Sequence, residues 1–273
     1  MVSLPIPDTD HVGTTLYRDL RFDASRSYLD LLTSLGFKRF NETSPVHLDP
    51  DLVYAVRDRR PGWRGLLGQS GPAAGHLRNK GIGAGDLFLF FGRFRHSTQS
   101  ERGYSFRKGW DGRDFHALWG YLEIAEVIPN ADRKKPPAWA KDHPHFAAPF
   151  RTAKQPNDVY VAVERLPSAS DSDLPGWGVF RWNEALRLTD PESRLMSHWR
   201  LPGCLHPENA EISYLGSNFG PPGEWVSVTA PGRGQELVCK PLNDQAEREI
   251  REWALRLVED CVAFDLADQA VAK

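Results

Sequence analysis

No run of 18 apolar residues occurs in this 273-residue chain, so no transmembrane helix is expected. The first residues show no basic segment followed by an apolar one, and no signal peptide is read there. Cysteine is scarce. Cys204, Cys239 and Cys261 are odd in number and show no CxxC spacing, which argues against a disulfide scaffold and for a reducing cytoplasm. HExxH, Gly-Lys-Ser/Thr and any internal repeat are missing as well. What is plentiful is aromatic: 11% of residues, nine of them Trp, which weighs against disorder. The length suffices to bury a sizeable core.

Net charge is only −2, but its distribution is uneven. From Arg57 to Trp110 eleven Lys or Arg face three acids, making that segment +8 and the remainder −10. Such asymmetry fits a polyanionic partner on one face; it also fits basic loops salt-bridged to acidic surfaces elsewhere in the chain.

Within the basic segment, Gly85-Asp86 leads into Leu87-Phe88-Leu89-Phe90-Phe91, apolar at every position. This reads as a central strand buried on both faces, ending in Gly92-Arg93-Phe94-Arg95. Residues 117–128 read as a second strand and 158–164 as a third. Gly178-Val179-Phe180 is a short strand candidate, and residues 225–229 and 236–239 read as a late hairpin around Pro231-Gly232-Arg233-Gly234. Residues 57–70 and 96–114 read as loops from their Gly content. A first helix, capped by Asp23 or Ser25, is expected to run to Leu35, with Gly36 just past its end. Ser70 caps a short one from Pro72 to Asn79. The clearest helix begins at Asp244, with Glu247 in capping-box position, and ends near Leu266. Its apolar stripe is Ala246, Ile250, Trp253, Ala254, Leu257, Val258, Cys261 and Val262, opposite Glu249, Glu252, Glu259 and Asp260.

Several chemistries are excluded by context. Gly81-Ile82-Gly83-Ala84-Gly85 precedes a strand, whereas a dinucleotide fingerprint follows one. Gly68-Gln69-Ser70-Gly71 resembles half of a nucleophile elbow, but position 72 is proline and no strand is read before it. Ser70 instead sits where a helix N-terminus offers N–H groups to an anion. His143-Pro144-His145, with Asp142 adjacent, is a pair without an assured third ligand, so no metal site and no cofactor are expected.

Aromatic residues interleaved with cations point to stacking on bases beside phosphates. Arg64, Arg93 and Arg95 are expected to meet phosphate, and Trp110, Trp119 or Tyr121 to stack on a base. His76 and Gln69 would read polar edges, and Arg233 and Gln235 would contact phosphate or base edges. For an enzyme, His76, His143 and Glu236 are the acid/base candidates.

Two resemblances follow. Residues 70–130, a short helix followed by Gly-Ile-Gly-Ala-Gly-Asp-Leu-Phe-Leu-Phe-Phe and then Gly-Tyr-Leu-Glu-Ile-Ala-Glu-Val-Ile, resemble the centre of PUA-like domains, including the EVE and ASCH groups. These are small β-barrels that bind RNA or hold modified bases. Nearly the whole chain resembles the nucleotide modification associated domain 3 family. The shared motifs are His47-Leu-Asp-Pro-Asp-Leu, Pro61-Gly-Trp-Arg, Gly68-Gln-Ser-Gly, Gly85-Asp-Leu-Phe-Leu-Phe-Phe-Gly, Trp139-Ala-Lys, His143-Pro-His-Phe, Trp199-Arg-Leu-Pro and Gly232-Arg-Gly-Gln-Glu, in that order. That resemblance implies a link to bacterial and phage systems that modify DNA bases, and carries over no catalytic residues. It also implies an N-terminal strand and a Gly/Ser-rich loop before Leu4-Pro5-Ile6-Pro7-Asp8, whereas Met1 falls just before that segment. A missing strand would expose a sheet edge.

The expectation is one α+β domain over residues 1–273: a curved, mixed or antiparallel sheet, a PUA-like barrel at about 70–165, and a C-terminal amphipathic helix packed outside. The expected function is recognition or processing of nucleic acid or a modified nucleotide in base modification or phage defence, with no membrane partner. The alternatives are an enzyme acting on a nucleotide or modified base, and a structural subunit that binds protein through its acidic helix.

Overall fold

The computed structural model describes residues 1–9, 15–101, 103–147, 155–167, 174–216, 218–231 and 236–263. Their strands are β1 (Ile6–Pro7), β2 (Val46–His47), β3 (Leu66–Ser70), β4 (Leu87–Phe94), β5 (Ser97–Ser100), β6 (Gly103–Phe106), β7 (Phe115–Ile128), β8 (Asn157–Ala162), β9 (Trp177–Val179), β10 (His198–Pro202), β11 (Ala210–Ile212), β12 (Trp225–Thr229) and β13 (Cys239–Pro241). The helices are α1 (Tyr28–Ser34), α2 (Gly71–Lys80) and α3 (Asp244–Cys261).

The strand that organises the sheet is β7, not β4. The main path runs β3-β8-β7-β4, with every pairing antiparallel. One edge of β7 is taken by β4, and the other is shared end to end by β8 and β9. Both faces of β7 are buried. Leu118 and Tyr121 enter a core with Phe180, Trp199, Val226, Leu257 and Val258. Leu122 and Ile124 enter a second core with Leu67, Leu77, Tyr160 and Trp177. The alternation of side chains across a strand is what lets one chain segment serve two cores. By contrast, β4 pairs with β7 alone among the described strands, and every residue from Leu87 to Gly92 is half-buried. The all-apolar run therefore marks a partly covered outer strand, not the sheet's centre.

Other expectations are corrected by pairing partners. Strand β12 pairs with β10, and β13 with β11, so, among the described residues, 225–229 and 236–239 are not paired with each other as the expected hairpin. Residues 97–100 and 103–106 pair as two antiparallel strands, and 66–70 are a strand of the main sheet. Among the described residues no pairing closes the β3-β8-β7-β4 path into a barrel.

The helices follow local chemistry. Ser27 caps α1, accepting from Asp30 N–H while the Asp30 carboxylate accepts from Ser27 N–H. Helix α2 has Pro72 in its first turn and ends at Gly81, whose φ of +76° suits glycine. For α3 the cap is Asn243, one residue before the expected Asp244; its side chain accepts from Ala246 N–H. Helix α3 ends at Cys261, with Ala254, Leu257, Val258 and Cys261 buried and Glu249, Glu252, Glu259 and Asp260 exposed. No disulfide joins the three cysteines. No described helix is long and apolar enough to cross a membrane.

Candidate metal centre and ligand cleft

Two histidine-bearing segments far apart in sequence converge on one carboxylate. The first is His47-Leu48-Asp49. His47 ends β2, and the Asp49 N–H bonds back to His47 O at 3.0 Å, a tight turn around Leu48 after which both side chains reach the same place. The segment is pinned just downstream. Asp51 exchanges backbone hydrogen bonds with Leu66 at 2.8 and 3.0 Å. The Asp51 carboxylate receives a bidentate pair of bonds from Arg59, at 2.5 and 2.6 Å, with both side chains buried. Arg59 donates further to Val53 O and Tyr54 O, and its guanidinium lies 4.1 Å from the Trp63 ring centroid. A buried charge pair is stable only when its remaining donors are satisfied in this way.

The second segment is His143-Pro144-His145. Pro144 to Phe146 form a tight helical turn that brings the two imidazoles within 5.7 Å, centroid to centroid. The His145 ring lies directly against Gly68 of β3, where an added Cβ would sit 2.2 Å from a ring carbon. Gly68 also donates its N–H to Asp49 Oδ1 at 2.7 Å. That glycine is thus where the two segments meet, with no side chain to separate them.

Around Asp49, His145 Nε2 is 3.3 Å and His47 Nε2 3.8 Å from Oδ2, while His143 Nε2 is 3.4 Å from Oδ1. The Asp49 side chain is 8% exposed and His143 1%. Burial alone would raise the Asp49 carboxyl, but the imidazoles of His143, His145 and His47 outweigh it and hold the group well below the usual carboxylate range. Burial lowers His143. For His145 burial also acts downward, but Asp49 and Asn157 prevail and raise it. Neither ring nitrogen of His143 has a hydrogen-bond partner among the described residues; its approach to Asp49 is close but misaligned.

A different site lies at the exit of β4. Arg93 and Arg95 both engage Asp114, Arg95 through Nε at 2.6 Å. Burial raises the Asp114 carboxyl, but Arg95 and Arg93 outweigh it and leave the group lowered. Beside this pair opens a cleft of about 280 Å³, walled by His96, Trp110, Arg113, Phe115, Arg187 and Arg194. Trp110 is 53% exposed, and the Arg113 guanidinium sits 3.1 Å from its ring centroid. His96 Nε2 accepts from Arg187 at 3.2 Å; burial and then Arg187 lower its pKa. The lining is mixed in sign, because Asp111, Asp114, Glu184, Asp190 and Glu192 stand with Arg113, Arg187 and Arg194.

The remaining predicted residues are dispersed. Arg64 lies near Glu126 at 3.7 Å and the Trp139 ring at 5.5 Å. Gln69 and Ser70 end β3; the strand expected to be missing before Ser70 is there. What Ser70 lacks is the strained backbone of a nucleophile elbow, its φ and ψ being −133° and 165°. His76 Nε2 lies 3.1 Å from Ser213 Oγ, and its ring is 4.6 Å from that of Tyr214. The Glu236 carbonyl accepts from Ser213 Oγ. Trp119 packs on Phe90 at 5.6 Å. Tyr121 is fully buried, its hydroxyl donating to Pro175 O at 2.9 Å, so it offers no face to a base. Arg233 and Gln235 lie outside the described residues.

His47 and Asp49 were not singled out from sequence. The available signal was the i, i+2 spacing of two ligand-type residues in His47-Leu48-Asp49, which repeats the spacing of His143-Pro144-His145. No curated protein and no solved structure matches this chain. A family model does, over residues 1–240, and its description is nucleotide modification associated domain 3. The chain therefore belongs to the nucleotide modification associated domain 3 family.

Proposed function

We propose that this protein recognises or processes a nucleotide or nucleic acid in a bacterial or phage base-modification system, and that the base is taken up at the β4 exit. The family supports the association with nucleotide modification. The observation that carries the reading is Trp110, an exposed ring already layered with Arg113 at the mouth of the cleft. A flat aromatic beside a guanidinium is a platform on which any base can stack. The mixed lining favours a base, with its π-face and polar edges, over a run of phosphates.

Binding of single-stranded DNA, RNA and free nucleotides, each plain and modified, tests this by titration calorimetry at low salt. Trp110→Ala is expected to weaken the best ligand about fivefold or more, since one stacked base contributes about 1–3 kcal/mol. Affinity should fall only gently with salt, because few phosphates are neutralised. Absence of binding to every ligand at low salt would refute the reading.

The enzyme alternative draws on the convergence of His47, Asp49, His143 and His145. It predicts turnover of a nucleotide that His143→Ala abolishes without weakening ligand binding. His76 and Glu236 offer no comparable constellation.

A further inference from the structure

We propose that His47, Asp49 and His145 bind a divalent transition-metal cation. This stands on residues separate from the β4-exit cleft and does not depend on the nucleotide reading.

Ligand atoms of the three side chains all lie within 4.8 Å of one another, and two imidazole Nε2 atoms face the same carboxylate oxygen at 3.3 and 3.8 Å. A cation with metal–ligand bonds of about 2.0–2.2 Å in tetrahedral geometry separates its ligand atoms by about 3.3–3.6 Å. The His145–Asp49 separation falls in that range, and the His47–Asp49 separation lies just above it.

The tautomer of His145 points the same way. Asn157 Nδ2 donates to the His145 carbonyl at 2.9 Å, which turns Asn157 Oδ1 toward His145 Nδ1 at 2.6 Å. Nδ1 therefore carries a proton, and in the neutral ring the Nε2 lone pair faces the Asp49 carboxylate. Two electron-rich groups so opposed need a cation between them, either a proton or a metal. A metal-ligating histidine characteristically donates its other N–H to a fixed oxygen, as His145 does to Asn157. Asp49 is likewise held from behind by the Gly68 N–H. An independent mark is His143, buried beside the carboxylate with both ring nitrogens lacking hydrogen-bond partners among the described residues. An imidazole so placed is available to a water on the metal.

Imidazole donors select zinc, iron and similar cations over calcium or magnesium, which prefer all-oxygen sites. With three protein ligands the site keeps open positions, the pattern of a reactive rather than a purely structural centre.

The test is calorimetric titration of the chelator-treated full chain with zinc chloride alone, paired with melting curves in zinc and in magnesium. One zinc equivalent should bind and raise Tm, and magnesium should do neither. His145→Ala and Asp49→Asn should weaken zinc binding at least 100-fold, and Asn157→Ala about 10–100-fold through the lost support of His145. His206→Ala, whose ring faces Glu208, should bind like the parent. Should the buried variants fail to fold, His47→Ala decides, because its side chain is 18% exposed and tolerates truncation better. No zinc uptake by the parent chain, or unchanged affinity in His47→Ala and His145→Ala, would overturn the proposal and leave a proton-bridged His–Asp pair.

Discussion

The His47–Asp49–His145 cluster and the β4-exit cleft differ in what their charges are for. The cluster lies by β3, reached across β8 from the C-terminal half of β7, while the cleft adjoins the first residues of β7. At the cleft and along the rest of the basic segment, conspicuous cations are already engaged. Across the +8 segment, Arg57 and Arg59 face Asp51, Arg64 faces Glu126, Arg78 faces Asp158, Lys80 faces Glu211, and Arg93 and Arg95 face Asp114. Each of those acids lies outside the segment. The charge asymmetry along the sequence is thus largely cancelled in space, and it marks assembly more than it marks a polyanion site. In the cluster, a few inconspicuous residues converge on one carboxylate. The lesson is that abundance of charge and concentration of chemistry fall in different places.

If so, the two regions should respond unequally to mutation. The largest effect is expected at Arg59, which holds the Asp49–Asp51 segment against β3. Arg59→Ala leaves the buried Asp51 with only the longer Arg57 contact at 3.5 Å and should lower unfolding free energy by about 3 kcal/mol in urea titrations. An effect below about 1 kcal/mol would mean that the buried frame is not rigid. Next is Gly68→Ala, whose Cβ collides with His145. It should cost about 1–3 kcal/mol by overpacking and abolish zinc binding, whereas alanine at Gly83, where nothing lies within 4 Å, should spare zinc binding.

The smallest effect is expected at the cleft, where ion pairs are solvated. Asp114→Asn should cost at most about 1 kcal/mol at neutral pH, because Arg93 is 65% exposed and screening is strong. The sign follows from its lowered pKa. The stabilisation is present above the unfolded value near 3.9 and lost as pH falls through the still lower folded value. Parent and variant should therefore differ at pH 7 and converge in strong acid. A difference that grows on acidification would contradict the assignment.

Legibility from sequence tracked the range of the interactions. Helix α3 was readable within one residue at its start, because cap and apolar stripe are local features. The extents of β7 and β8 were close for the same reason. The partners of β12 and β13 were not, since proximity in sequence suggested a hairpin while packing joined them to β10 and β11. The role of Leu87 to Phe91 was misjudged because an apolar run does not say which strand lies outermost. Of the candidate centre, His145 and the neighbouring His143 were noticed, but the convergence of His47 and Asp49 on them was unreadable. It depends on Gly68 letting two remote segments touch, which is a property of tertiary contact and not of spacing.

The most direct test of the central claim is the visible absorption spectrum of the chelator-treated full chain titrated with Co²⁺, compared with His145→Ala. The account predicts ligand-field bands distinct from those of the aqueous ion, saturating at one equivalent and lost in the variant. A spectrum identical to free Co²⁺ at saturating metal, or one unchanged in His145→Ala, would contradict it.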